Sequence, residues 1–225
     1  MSNREEKADE SKITIVAFGD SITEGTYGGA SAGHSYPALL EEMLLKQQIN
    51  AQVINKGIPG ETAPEALFRL QRDVVDLKPD VVLIMYGAND AYVPPDFNFP
   101  AVSPENFSKA ICRMVDRLNE LSIKTILMTT TPFAELDFYS SAEMESLELN
   151  RQSLETHLHE LREIADKKQI HLIDHYKIWW QLDQSNEVLK EYLPDGVHPN
   201  ADGNKLLAST VYREVIDEIT KREQK

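Results

Sequence analysis

Ile13-Thr14-Ile15-Val16-Ala17-Phe18 runs directly into Gly19-Asp20-Ser21-Ile22-Thr23-Glu24-Gly25, and the junction between the two stretches decides the fold. An almost wholly apolar, β-branched run suits a strand covered on both faces, and the Gly-Asp-Ser that breaks it is turn chemistry. Four more runs of this kind follow at intervals of about thirty to forty residues: Ala51–Asn55, Val81–Met85, Thr125–Met128 and Ile170–Ile173. Between them the apolar residues keep a helical period. Leu39, Leu40, Met43 and Leu44 follow Ser35 and Pro37, suited to an N-cap and a first turn, and Leu67, Leu70, Val74 and Leu77 stop before Lys78-Pro79. Phe107, Ile111, Met114, Leu118 and Leu121 form a third stripe, Leu147, Leu154, Leu158 and Leu161 a long fourth, and Leu207, Val211, Val215 and Ile219 close the chain.

The pattern is β-α five times over. With right-handed crossovers it predicts an α/β fold, a three-layer α/β/α sandwich around a five-stranded parallel sheet in the order 2-1-3-4-5, as one domain over residues 1–225. Residues 1–11 are expected to be a flexible N-terminal segment. Ligand chemistry in such a sheet belongs at the carboxyl ends of the strands. Two long connections rich in Pro and aromatics, about Ala91 to Ser103 and Phe133 to Ser141, fall on that edge.

Composition narrows the partners. The 225 residues are 41% apolar and 27% charged, enough to build a sizeable core without disulfides or structural metals. The formal net charge of −14 weighs against nucleic acid and against stable association with anionic membranes, and no Lys/Arg stripe offsets it. The single cysteine, Cys112, has no partner for a disulfide or a CxxC motif and reads as a small core residue. The polar first ten residues lack the apolar centre of a signal peptide, and no apolar run approaches the length of a membrane span; the expected compartment is the cytoplasm.

Four segments carry possible chemistry. Ser21, placed where a strand gives way to a turn, can present its Oγ at the sheet edge and its own N–H to an oxyanion, or it can simply cap a helix. The elbow G-x-S-x-G is not present, since Thr23 stands where its second glycine would be. Asn55-Lys56-Gly57-Ile58-Pro59-Gly60 follows the second strand, where Gly57 can turn a bare N–H toward the same point or merely serve a Gly/Pro loop. Tyr86-Gly87-Ala88-Asn89-Asp90 follows the third and brings a donating amide to the edge, again with a turn role as the alternative. Asp195-Gly196-Val197-His198 puts a carboxylate three residues before a histidine, so that Asp195 can accept from one ring nitrogen while the other faces the serine.

Together, in this order, the four segments resemble the four blocks of the SGNH (GDSL) hydrolase family, whose invariant residues correspond to Ser21, Gly57, Asn89 and His198. The resemblance runs from about Ile13 to the last helix, with Ile22 where the family name has Leu. It implies a flavodoxin-like fold and a serine ester hydrolase with no metal or cofactor. It further implies Ser21 as nucleophile, His198 as general base and then acid, Asp195 as its orienter, and an oxyanion hole of the Ser21 and Gly57 N–H groups with the Asn89 side chain. A thioesterase or lysophospholipase would use the same machinery. A non-catalytic flavodoxin-like binding module would instead need a phosphate loop or an acidic phosphoacceptor cluster after the first strand.

Other candidates have plainer readings. His157 and His159 point to different faces of a helix and do not chelate one ion easily. His171, Asp174 and His175 read as strand-end and loop residues, and Trp179 and Trp180 as packing residues, with stacking on a sugar or acyl group as the alternative. Glu143, Glu145 and Glu148 suit the solvated start of a helix. The edge-loop aromatics Phe97, Phe99, Phe133, Phe138 and Tyr139 are interrupted by acidic residues and prolines, so the expected substrate is a small soluble ester with a short, acetyl-like acyl group, of a carbohydrate for example.

Overall fold

A computed structural model describes residues 12–182 and 187–223; the N-terminal segment 1–11 lies outside the described residues. Its strands are β1 (Ile13–Gly19), β2 (Ala51–Gly57), β3 (Val81–Met85), β4 (Lys124–Met128) and β5 (His171–Ile173). All pairings are parallel and the order is β2-β1-β3-β4-β5. The helices are α1 (Ser21–Glu24), α2 (Tyr36–Lys46), α3 (Ala63–Asp73), α4 (Ala88–Ala91), α5 (Pro104–Glu120), α6 (Ser141–Lys168), α7 (His175–Leu182), α8 (Glu187–Tyr192) and α9 (Ala201–Glu223).

Side chains alternate across the strands, so the sheet carries a core on each face. Ile15, Ala17, Leu83, Met85, Ile126 and Met128 pack with Tyr36, Leu40 and Leu44 of α2 and Leu207, Val211 and Val215 of α9. Val16, Phe18, Val82, Ile84 and Leu127 face the other way, against Ala66 and Leu70 of α3 and Phe107, Ile111 and Met114 of α5. Helix α6 serves both, with Leu154 and Leu158 in the first core and Leu161 and Ile164 in the second.

Local sequence sets the helix starts. Thr62 and Glu65 form a capping box on α3, Ser140 and Glu143 another on α6, and the Ser103 hydroxyl caps α5. The apolar stripe over Leu67–Leu77 is broken: α3 ends at Asp73, and Val75–Leu77 form a separate 3-10 turn before Lys78, which is left-handed at φ 50°. Four short helices, α1, α4, α7 and α8, add to the simple β-α alternation, and Cys112 on α5 is half-buried. Among the described residues no helix is long and apolar enough to cross a membrane.

Candidate active site

Ser21 begins α1 immediately beyond the end of β1. Asp20 caps this single turn, its Oδ1 accepting the Ile22 N–H at 2.9 Å, and Gly25 closes it in the left-handed region. The turn points the Ser21 hydroxyl at His198, with Oγ 2.9 Å from Nε2. His198 Nδ1 lies 2.7 Å from Asp195 Oδ2, while Asp195 Oδ1 accepts the N–H groups of Val197 (3.0 Å) and His198 (2.7 Å). Burial pushes the Asp195 carboxyl up, but these hydrogen bonds outweigh it and hold the group at about 2. An ionised Asp195 assigns the proton of neutral His198 to Nδ1, which leaves the Nε2 lone pair facing the serine hydroxyl. The chain is arranged for proton abstraction from Ser21.

Asn89, in α4, lies beside Asp20, the residue before Ser21. Its Nδ2 donates to the Glu61 carbonyl at 3.1 Å and, more distantly, to Asp20 Oδ2 at 3.3 Å. The second contact is long enough to be exchanged for a better acceptor.

Gly57 departs from its expected role. In the parallel ladder the Ile58 N–H bonds to the Gly19 carbonyl, so the Gly57 N–H points out of the free edge of β2, where it donates to Asn55 Oδ1 at 2.9 Å. It is not turned toward Ser21. What requires a glycine there is close approach, since a Cβ would collide with the Glu24 nitrogen and lie 2.7 Å from the Asp20 carbonyl. Gly60, three residues on, is exposed and left-handed at φ 78°, and it directly precedes the Glu61 carbonyl that holds Asn89.

Sequence reading missed several residues of this neighbourhood. The Tyr27 ring stacks on the His198 imidazole, and buried Arg69 donates to the Gly19 and Lys56 carbonyls and to the Glu61 carboxylate. The cap of α1 is Asp20 and not Ser21, the residue the sequence offered for that role, and nothing in the local pattern singles out Tyr27 or Arg69. Burial pushes the Asp20 carboxyl up to about 6, and the Ile22 N–H offsets part of that.

The remaining candidates lie elsewhere. His157 is buried, its Nδ1 at the Ser153 carbonyl and Nε2 at the Val102 carbonyl, and His171 pairs with Glu214. Asp174 is held by Arg162, and burial drives the neighbouring His175 down to about 3. Trp179 is fully buried against Tyr192, Trp180 is half-buried below Arg151, Glu143 caps α6, and Glu145 and Glu148 are exposed. Among the described residues no three His, Cys, Asp or Glu side chains gather as a metal site.

A cavity of about 280 Å³ adjoins the Asp195–His198 turn. Tyr92, Phe133, Leu147 and Val197 give it apolar walls, and Tyr139 and Glu143 add polar atoms. Residues separated in sequence thus converge on a concave surface beside His198.

The profile of the GDSL-like Lipase/Acylhydrolase family matches residues 15–211. An acetylxylan esterase of Geobacillus stearothermophilus is 28% identical over 220 residues, covering 89% of this chain and 93% of that protein. The lipoprotein YqeF of Bacillus subtilis is 29% identical over 181 residues, covering 75% and 73%. Among solved structures, a lipase/acylhydrolase from Enterococcus faecalis has a TM-score of 0.74 at 28% identity, over 90% of this chain and 95% of that one.

Proposed function

The chain belongs to the GDSL-like lipase/acylhydrolase family and is a carboxylic ester hydrolase; on that premise we propose that Ser21 is its nucleophile, His198 its general base and then acid, and Asp195 the orienter of His198. The observation that carries this reading is the continuous chain from Ser21 Oγ to His198 Nε2 (2.9 Å) and from Nδ1 to Asp195 Oδ2 (2.7 Å).

The Ser21 oxygen attacks the ester carbonyl carbon as its proton passes to Nε2, and the imidazolium that forms is stabilised by ionised Asp195. The negative oxygen of the tetrahedral intermediate is held by the Ser21 N–H, one N–H of the Asn89 amide and the Gly60 N–H. Gly60 takes the place first expected of Gly57, whose N–H is engaged by Asn55. Collapse breaks the bond to the alcohol, which leaves with the proton from Nε2, and water repeats the sequence to release the acid.

The substrate in this reading is a short-acyl, acetyl-like ester of a small soluble alcohol such as an acetylated carbohydrate. The similarity to an acetylxylan esterase supports it, and so does the Glu143 carboxylate lining the cavity, an unfavourable neighbour for a long alkyl chain. The apolar walls of the same cavity favour the second reading, a thioesterase or lysophospholipase with a longer acyl group. Incubation with an organophosphonate, followed by peptide mass spectrometry, tests the assignment: phosphonylation at Ser21 with loss of p-nitrophenyl acetate hydrolysis is expected, and a modified residue other than Ser21 overturns it.

A further inference from the structure

We propose that Arg69 is the positioning residue of the oxyanion hole. The three donors come from three different strand ends, and each must lie about 2.7–3.1 Å from one and the same oxygen. Something must hold those ends in mutual register. Arg69 lies on α3, 7% exposed, with its guanidinium 4.3 Å above the centre of the Phe18 ring. Its Nη2 stands among four acceptors: the Lys56 carbonyl at 2.9 Å, the Tyr86 hydroxyl at 3.0 Å, the Gly19 carbonyl at 3.4 Å and the Glu61 carboxylate. Nε adds a bond to Glu61 Oε1 at 2.7 Å, and Nη1 reaches Asp73 at 3.3 Å.

These acceptors are the frame of the hole. Gly19 ends β1 two residues before Ser21, and Lys56 stands at the end of β2. Glu61 follows Gly60, and its own carbonyl anchors the Asn89 amide. Tyr86 follows β3, three residues before Asn89, and its hydroxyl is 2.8 Å from Glu61 Oε2. One buried cation therefore ties the ends of β1, β2 and β3 together. Its planar fork can reach several acceptors at once, which an ammonium cannot reproduce. Arg69 is buried beneath this frame and acts through the donors above it.

The inference rests on the oxyanion reading of Ser21, Gly60 and Asn89, and the experiment separates the two. Arg69→Lys and Tyr86→Phe would be compared with wild type and with Asn89→Ala for kcat, KM and inhibition by phenylboronic acid, whose tetrahedral adduct places an oxygen in the hole. Because misplacement of a reacting group by about 1 Å costs on the order of 10²-fold, Arg69→Lys is expected to lower kcat by about that factor with KM little changed. The boronate inhibition constant should rise in parallel, and Arg69→Lys should cost little more when added to Asn89→Ala. Tyr86→Phe, which keeps the buried ion pair, should act in the same direction more weakly and carries the test if Arg69→Lys fails to fold. Folded variants with wild-type kcat and boronate affinity, or losses confined to KM, overturn the proposal. If Asn89→Ala itself leaves kcat unchanged, it is the oxyanion reading that fails.

Discussion

The Tyr27 ring lies 4.8 Å from the His198 imidazole with the two planes 28° apart. A ring face against the imidazole stabilises the cationic form that appears during acyl transfer, an effect of about 0.5–1 kcal/mol at a partly exposed site. Tyr27→Ala is therefore expected to lower kcat/KM for p-nitrophenyl acetate by about two- to fivefold, the kinetic equivalent of that energy. Tyr27→Phe should retain wild-type turnover. Equal losses in both variants would assign the effect to the hydroxyl instead.

Ser21→Ala and His198→Ala should each abolish turnover with the circular dichroism spectrum unchanged, because neither side chain fills the core. Asp195→Asn should lower kcat by about 10⁴, since an amide no longer dictates the Nδ1–H tautomer. A Ser21→Ala enzyme with more than about a tenth of wild-type kcat, far above the residue left when a nucleophile is removed, would refute the nucleophile assignment.

Asn89→Ala should lower kcat by about 10²–10³ with a smaller effect on KM. Gly57→Ala should lower kcat and Tm together, because its Cβ drives into the Asp20–Glu24 turn that carries Ser21. Gly60→Ala keeps its N–H and meets no neighbour within 4 Å, so it should cost only the strain of the left-handed backbone, about 1–2 kcal/mol. Gly57→Ala milder than Gly60→Ala would show that close approach is not what requires a glycine at position 57.

Stability should be greatest in mild acid. Burial raises Asp90 to about 7, and Asp90 Oδ2 is buried without a hydrogen bond; Asp20 is raised to about 6. From the unfolded value of 3.8 upward the unfolded chain releases these protons while the folded one keeps them. The stability they contribute is thus fully present below 3.8 and lost as pH rises through 6 to 7. Asp73, held down chiefly by Arg72, and Asp195 are both lowered to about 2 and act oppositely, losing their contribution as pH falls below 3.8 toward 2. Asp90→Asn should raise Tm at pH 8, by ~2–4 °C for each kcal/mol relieved, and leave it nearly unchanged at pH 4. A Tm difference independent of pH would show that Asp90 is not protonated on folding.

The acyl preference is read from p-nitrophenyl esters running from acetate to dodecanoate. Acetate and propionate should give the highest kcat/KM. Each buried CH₂ is worth about 0.8 kcal/mol, so a long tail that found a continuous groove would raise kcat/KM visibly along the series, and a maximum at octanoate or beyond would sink the short-acyl reading.

The order of the sheet was legible because each strand is a short apolar run and each connection a helical stripe, which leaves few ways to wind the chain. Ser21 and Asn89 were readable as polar residues just after the first and third runs, and Asp195 and His198 as a carboxylate and an imidazole three residues apart ahead of the last helix. Gly57 misled for a backbone reason: N–H groups alternate sides along a strand, and the bond from Ile58 to Gly19 decides that Gly57 faces outward. That parity belongs to the register with β1 and cannot be counted from the residues. Arg69 sits on an amphipathic helix, and only the fold brings Glu61 and Tyr86 onto its guanidinium. The cavity walls escaped because Tyr92 follows β3 while Phe133 follows β4 and Leu147 lies on α6, and only the fold brings them together.

Helix α9 locks onto α2 through one side chain: Asn204 Oδ1 accepts the Tyr36 N–H and its Nδ2 donates to the Pro199 carbonyl, next to His198. Ser21 and His198 are 177 positions apart, so their side chains meet only when the segments that carry them have docked. All five strands precede His198 in the sequence, whereas α9, which follows it, supplies Leu207, Val211 and Val215 to the core on one face of the sheet. On the proposed roles, a chain whose α9 has not docked leaves Ser21 without its base, and hydrolysis is expected only once Asn204 has joined α9 to Tyr36.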